Sequence, residues 1–231
     1  MPDTGLQRSP KVQKGALVQL VETLNIPLPN IVPFQYNPEK LTRTLEIWNP
    51  TAVDQTHRGL TSPLAQPFDP QESIEMQVDL DAADRLEDGD PIAQEFGVGD
   101  RIAALEKMLF AGASPLGQLL NLAVTLTGAT PSPQRPTVPV TFLVFGVGRI
   151  VPVRLTRYSI EEQLFLPSLR VLQARISLSM TVLTPDVFKG LSSPTVALAI
   201  AAYQFYRAQQ DALALINLGT SVGSLRAMLP F

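Results

Sequence analysis

The chain holds one histidine and no cysteine, so two of the most versatile catalytic side chains are nearly or wholly absent. His57 lies in the run Asp54-Gln55-Thr56-His57-Arg58 with no serine motif beside it, and reads as a surface loop residue, not a general base. Without cysteine, thiol nucleophiles, disulfides and cysteine-ligated zinc are excluded. A nucleophile elbow, a Walker loop and a zincin helix are all missing. The pairs Gly97-Val98-Gly99 and Gly146-Val147-Gly148 each lack the third glycine of a dinucleotide fingerprint. The second pair stands between two apolar segments and predicts a hairpin turn, where glycine supplies a positive φ.

Carboxylates are the remaining chemistry. Asp79, Asp81, Asp84, Glu87, Asp88 and Asp90 crowd one stretch, and such clusters can attract calcium. Neither the spacing nor the closing glutamate of an EF-hand is present. The expected arrangement is a solvated acidic face, with Asp79 and Asp81 on the outer side of a strand and the others flanking a turn at Gly89. Glu161 and Glu162 are neighbours on a strand, so they point to opposite faces and make no acid pair for a hydrolase. The residues therefore nominate no catalytic group, no cofactor and no metal, and the expectation is a protein that is not an enzyme.

Bulk properties narrow the class further. Of 231 residues, 45% are apolar and 17% charged, which excludes a disordered tail and suits a folded core. The formal net charge of −3 and the lack of any basic run argue against nucleic acid as a partner. Met1 to Glu22 holds no apolar core of a signal peptide. The longest apolar run, Val196 to Ala202, falls far short of the ~20 residues of a spanning helix, so no membrane insertion is expected. Cytoplasmic assembly is the corresponding expectation.

The elements that must position these residues are mostly strands. Ile74, Met76, Val78, Leu80 and Ala82 alternate with Glu75, Gln77, Asp79 and Asp81, the pattern of a half-buried strand. The same alternation returns from Ala174 to Val182, and at Val151, Val153 and Leu155. Further strands are predicted at 15–21, 32–36, 41–48 and 140–145. Asp100 is expected to cap a short helix whose Ile102, Leu105, Met108 and Leu109 share a face, with 116–126 as a weak continuation. A second helix is predicted in the tail, with Ser193 as cap, Pro194 at its first position and Gly219 at its end. Its first half is apolar nearly all round and needs cover on several sides. Loops are expected over 49–70 and over 127–139, which holds four prolines in thirteen residues.

One segment resembles a known family. Val32-Pro33-Phe34-Gln35-Tyr36-Asn37-Pro38-Glu39-Lys40-Leu41 is similar to the Phe-Gln-(Tyr/Phe)-Asn-Pro-Glu-x-(Leu/Ile) opening of the tube-type proteins of contractile injection systems. That group includes the tail-tube initiators and hub adaptors of phage baseplates. A second patch agrees: Phe142 to Gly146, Val153 to Ile160, Leu164 to Arg170 and Ala174 to Leu178 follow the family's order of strand, strand, long hairpin and strand. Two departures stand out. Ser168-Leu169 occupies the place of the family's turn glycine, and Gln173 precedes Ala174 where arginine is usual.

The resemblance implies a mainly β (α+β) fold over 1–184, with tail-tube-like packed sheets or a flattened β-barrel and a flanking helix at 100–110. A helical C-terminal extension covers 185–231, without the LysM-like pattern that often ends the longer members. It further implies a homo-oligomer, a hexameric ring, that joins the spike hub to the inner tube protein and templates tube growth. Baseplate wedge proteins are possible additional partners. The particle is either released or membrane-docked. Assembly contacts are expected at Phe34, Tyr36, Asn37 and Pro38 of the first motif, at Tyr158, Phe165, Arg170 and Arg175 of the long hairpin, and at Tyr203 and Phe205 of the tail. The alternatives are a main inner-tube subunit, a monomeric ligand-binding β-barrel and a cell-wall hydrolase of the same machine.

Overall fold

The computed structural model describes residues 13–23, 26–47, 66, 69–110, 138–146 and 148–228. His57, Trp48, the 116–126 continuation and nearly all of the two predicted loops lie outside these residues. Strands β1 (Ala16–Thr23), β2 (Ile26–Pro33), β3 (Leu41–Glu46), β4 (Gln71–Asp81), β5 (Thr141–Val144), β6 (Ile150–Phe165) and β7 (Val171–Val182) form one sheet. Its order is β2-β1-β5-β6-β7-β4-β3, and every pairing is antiparallel. Helices α1 (Ala83–Glu87), α2 (Pro91–Phe96) and α3 (Gly99–Lys107) follow β4. A 3-10 turn at Pro185–Phe188 leads into the long helix α4, Pro194–Met228.

The mainly β expectation holds, but the described strands build one open sheet, neither two packed sheets nor a closed barrel. That sheet is nonetheless curled, as chain length requires. β2 and β3 are its opposite edges, and residues 34–40 alone join them. Laid flat, seven strands put their edges about 29 Å apart. Fully stretched, the chain from Pro33 to Leu41 reaches about 29 Å, and this connection is bent. The edges must therefore approach one another. The buried cluster agrees, since it joins Leu17 of β1 to Ile74 of β4 and includes Val98, Ile102, Leu105 and Met108.

β4 and β7 alternate as predicted: Ile74, Met76, Val78 and Leu80 are buried, and so are Ala174, Ile176, Leu178, Met180 and Val182. β6 does the same with a slip. A bulge between Leu155 and Arg157 shifts its phase by one, so that Leu155 faces Met180 while Tyr158 faces Leu178 and Ile160 faces Ile176.

Several expectations need correction. The strand placed at 32–36 begins earlier, at Ile26, and stops at Pro33. Prolines hid it, and their positions explain why they are tolerated. The Phe34 N–H donates to the Gly15 carbonyl, so even-numbered residues of β2 turn their backbone groups toward β1. Pro27, Pro29 and Pro33 therefore sit at outward-facing positions of an edge strand, where no ladder hydrogen bond is lost. Asp100 does not cap α3; Val98 holds that position, and Asp100 pairs with Arg85 instead. Gly219 does not end the tail helix, which runs on to Met228. The Ser193 cap is present, its hydroxyl accepting from the Val196 N–H at 3.2 Å.

Two glycines act through geometry. Gly146 turns the chain between β5 and β6 with φ +80°, closed by a 2.8 Å bond from the Phe145 N–H to the Arg149 carbonyl. Gly97 ends α2 with φ +62°, and a Cβ there would fall on the Val171 carbonyl oxygen. The α2–α3 junction can thus lie directly against the start of β7, where the Val98 N–H bonds to Val171.

Candidate assembly surfaces

Residues 34–38, singled out by type and order, form a clasp between the approaching edges. Phe34 is 1% exposed and belongs to the core. The Gln35 Oε1 accepts from the Asp81 N–H at 3.0 Å and from Arg101 of α3. The Tyr36 hydroxyl donates to Asp84 of α1 at 3.2 Å. Asn37 works in the opposite direction: its Oδ1 accepts from the Gly15 N–H, and its Nδ2 donates to the Gln13 carbonyl, each at 2.8 Å. One short connection therefore grips the start of β1, the end of β4 and two helices. Pro38 is half-buried at the end of the clasp.

The acidic stretch is absorbed in the same region. Asp81 accepts from the Ala83 N–H and from Gln173, Asp90 caps α2 through the Ile92 N–H, and Arg85 bonds both Asp90 and Asp100. The Arg85 guanidinium holds the Asp90 carboxyl below its usual range. Among the described residues, no group of three or more His, Asp or Glu side chains is placed to hold a metal ion.

The face of the sheet turned away from the core is polar and ordered in rows across the strands. Glu161, Arg175 and Asp79 share one row; Ser159, Ser177 and Gln77 share the next. Arg157, Ser179, Glu75 and Thr42 follow, then Arg154, Thr181, Ser73 and Thr44. Side chains at the centre are short, and Arg154, Arg157 and Arg175 balance Glu75, Asp79 and Glu161. Arg175 bonds Asp79 at 2.8 Å with both groups about half exposed, a contact that adds little stability. Glu161 faces this side and Glu162 the other, as the strand period requires.

The β6–β7 hairpin ends in an exposed apolar tip. Leu164 and Phe165 are half exposed, and Leu169 is 82% exposed. Leu169 also carries φ +62°, the left-handed region, and is the one non-glycine residue to do so among the described residues. Ser168 and Leu169 together stand in the region of the resembled family's turn glycine. Arg170 lies over the ring of Phe96, 5.5 Å from its centroid. Tyr158, by contrast, points inward from this hairpin. Its buried hydroxyl has no hydrogen-bond partner among the described residues. Burial, with Glu106 and Glu162 nearby, pushes its phenol up to about 12.

Tyr203 and Phe205 part company on α4. Phe205 is exposed, whereas Tyr203 is buried against the sheet and donates to Asp69 at 3.2 Å. One turn on, Tyr206 donates to the Glu72 carboxylate at 2.9 Å, and Arg43 bonds the same Oε1 at 2.6 Å while its guanidinium lies over the Tyr206 ring. Burial, then the Glu72 charge, pushes the Tyr206 phenol up to about 12. This anchor of Arg43, Glu72 and Tyr206 was missed from sequence. Its signal was there: Glu72 and Arg43 occupy the core-facing phase of their strands, where an unpaired charge is not tolerated.

No family model and no curated protein matches the chain. Among the described residues, no helix is long and apolar enough to cross a membrane.

Proposed function

We propose that the chain is a structural ring subunit of a phage-tail-like contractile injection machine, in the position of an adaptor between spike hub and inner tube. The observation that carries this reading is the two-faced sheet. One face is spent on the core; the other is a hydrated surface of short, charge-balanced side chains. A channel wall asks for such a face, since it wets the lumen without holding cargo of either sign. The clasp supports the same reading, because it brings the edges of a curled sheet together at the family-like motif.

The strained, exposed hairpin tip is the surface by which such a subunit reaches its neighbour. Strain at an exposed apolar residue is retained where something other than folding uses it. A ligand-binding barrel is less well supported, because Ile102, Leu105 and Met108 pack into the core against the apolar face of the sheet. A main tube subunit is disfavoured by α4, whose 35 residues leave little room for repeated stacking.

Copy number separates the two assembly readings. Quantitative mass spectrometry of purified particles should find this chain at one ring per tube end, in small fixed ratio to the hub. Abundance rising with tube length would make it the tube subunit. Absence from particles would end both.

A further inference from the structure

Among the described residues, helix α4 has a second face that nothing covers. Val196, Ala199, Tyr203 and Tyr206 point into the protein. On the other side Leu198, Ala201, Phe205, Ala208, Ala212, Leu215 and Gly219 are all exposed, and they follow one another in steps of three and four. Such spacing averages 3.5 residues, the period at which one helix tracks another. A strand or a loop as partner imposes no such period. The seam is about 32 Å long and carries no charge, unlike the solvent face of an ordinary surface helix.

We propose that this seam binds the α4 of a second copy, antiparallel. Side-chain size and charge select that occupant. In the antiparallel register Leu198 meets Leu215 of the second copy, Ala201 meets Ala212, and Phe205 meets Ala208. The second half of the seam repeats these layers by symmetry, as a twofold contact demands. Leucine pairs close both ends, and each phenylalanine fills the space left by an alanine. A parallel pair would stack Phe205 on Phe205 between alanine layers and hold apart the backbones that alanine needs close. Asp211 on the flank then lies opposite Gln204 of the second copy, an acceptor facing an amide donor, and not opposite another carboxylate. Residues 211–219, exposed throughout in the single chain, come to rest on the first half of the partner helix.

The pairing is independent of the ring reading. It describes the free chain, and in rings it would join two layers back to back. The test uses the full chain, whose lack of cysteine makes engineered thiols unique. L198C and L215C chains are mixed, oxidised and compared with each variant alone, beside sedimentation of the unmodified protein and of Leu215→Glu. The expected result is a dimer, or an even-numbered oligomer, with a disulfide formed in the mixture and little in L198C alone. In the antiparallel pair the two Leu198 positions lie about 25 Å apart along the axis. Leu215 is 68% exposed, so Leu215→Glu should weaken association at least ten-fold with the circular dichroism unchanged. Self-crosslinking of L198C to the same extent as the mixture, association untouched by Leu215→Glu, or a monomer at every concentration would overturn the proposal. Rings without the α4 crosslink would remove this inference and leave the ring; crosslinked dimers that never form rings would do the reverse.

Discussion

Tyr158 and Tyr206 are both buried phenols, yet they make opposite contributions. Tyr206 has partners in Glu72 and Arg43, so its hydroxyl is satisfied. Tyr158 has none among the described residues, and an orphaned buried hydroxyl costs about 1–3 kcal/mol. Tyr158→Phe should therefore stabilise the protein by about 1 kcal/mol, read as a higher urea midpoint with an unchanged slope. Tyr206→Phe should cost about 2 kcal/mol at neutral pH, because it strips a donor from a buried carboxylate.

The same tyrosine sets an alkaline limit. Its folded phenol is pushed up to about 12 from the ordinary 10.0, so the unfolded chain releases that proton first. Stability is whole below about pH 10 and falls as pH rises toward about 12. Urea midpoints should drop less over this window in Tyr206→Phe than in the parent, and equal drops would remove Tyr206 as the cause. Gly97→Ala is the sharpest steric test at this scale, since the new methyl group meets the Val171 carbonyl at a positive φ. A loss of about 2–3 kcal/mol is expected, and an unchanged midpoint would mean that α2 and β7 do not meet so closely.

At the scale of elements, legibility followed how each strand is buried. β4 and β7 were readable because each has one wet and one dry face over its whole length. β2 was unreadable because Pro27, Pro29 and Pro33 break the usual strand composition; only the pairing shows that they face outward from an edge. β6 was legible to Leu155 and then lost phase, and the switch from odd to even apolar positions, Leu155 to Tyr158 and Ile160, was the trace of the bulge. The helices α1 and α2 lay under acidic residues read as a strand face and a turn. The motif at 34–38 was found by residue type, but its partners stand 22 to 66 positions away in sequence, so its role as a clasp was not. The hairpin offers a direct check. A left-handed leucine costs roughly 1–2 kcal/mol, so Leu169→Gly should raise the thermal midpoint of the free chain. If the tip is a contact, the same variant should assemble less well. A variant that gains stability and assembles normally would leave the strain without a use.

For the whole molecule, edge chemistry constrains how copies meet. Outward from β2, three of the four odd positions from 27 to 33 are prolines, leaving the Ile31 N–H as the donor there. Strand addition at that edge is thereby blocked. A ring built from this chain must join through side chains, the hairpin tip and the helices above all, and not through a continuous ladder across β2. The most direct test of the ring reading is native mass together with negative-stain imaging of the purified chain, alone and mixed with the tube and hub proteins of a contractile injection system. Closed rings, single or paired through α4, or a layer capping tube ends, are the expected result. A species no larger than a dimer that ignores both partners would contradict the ring.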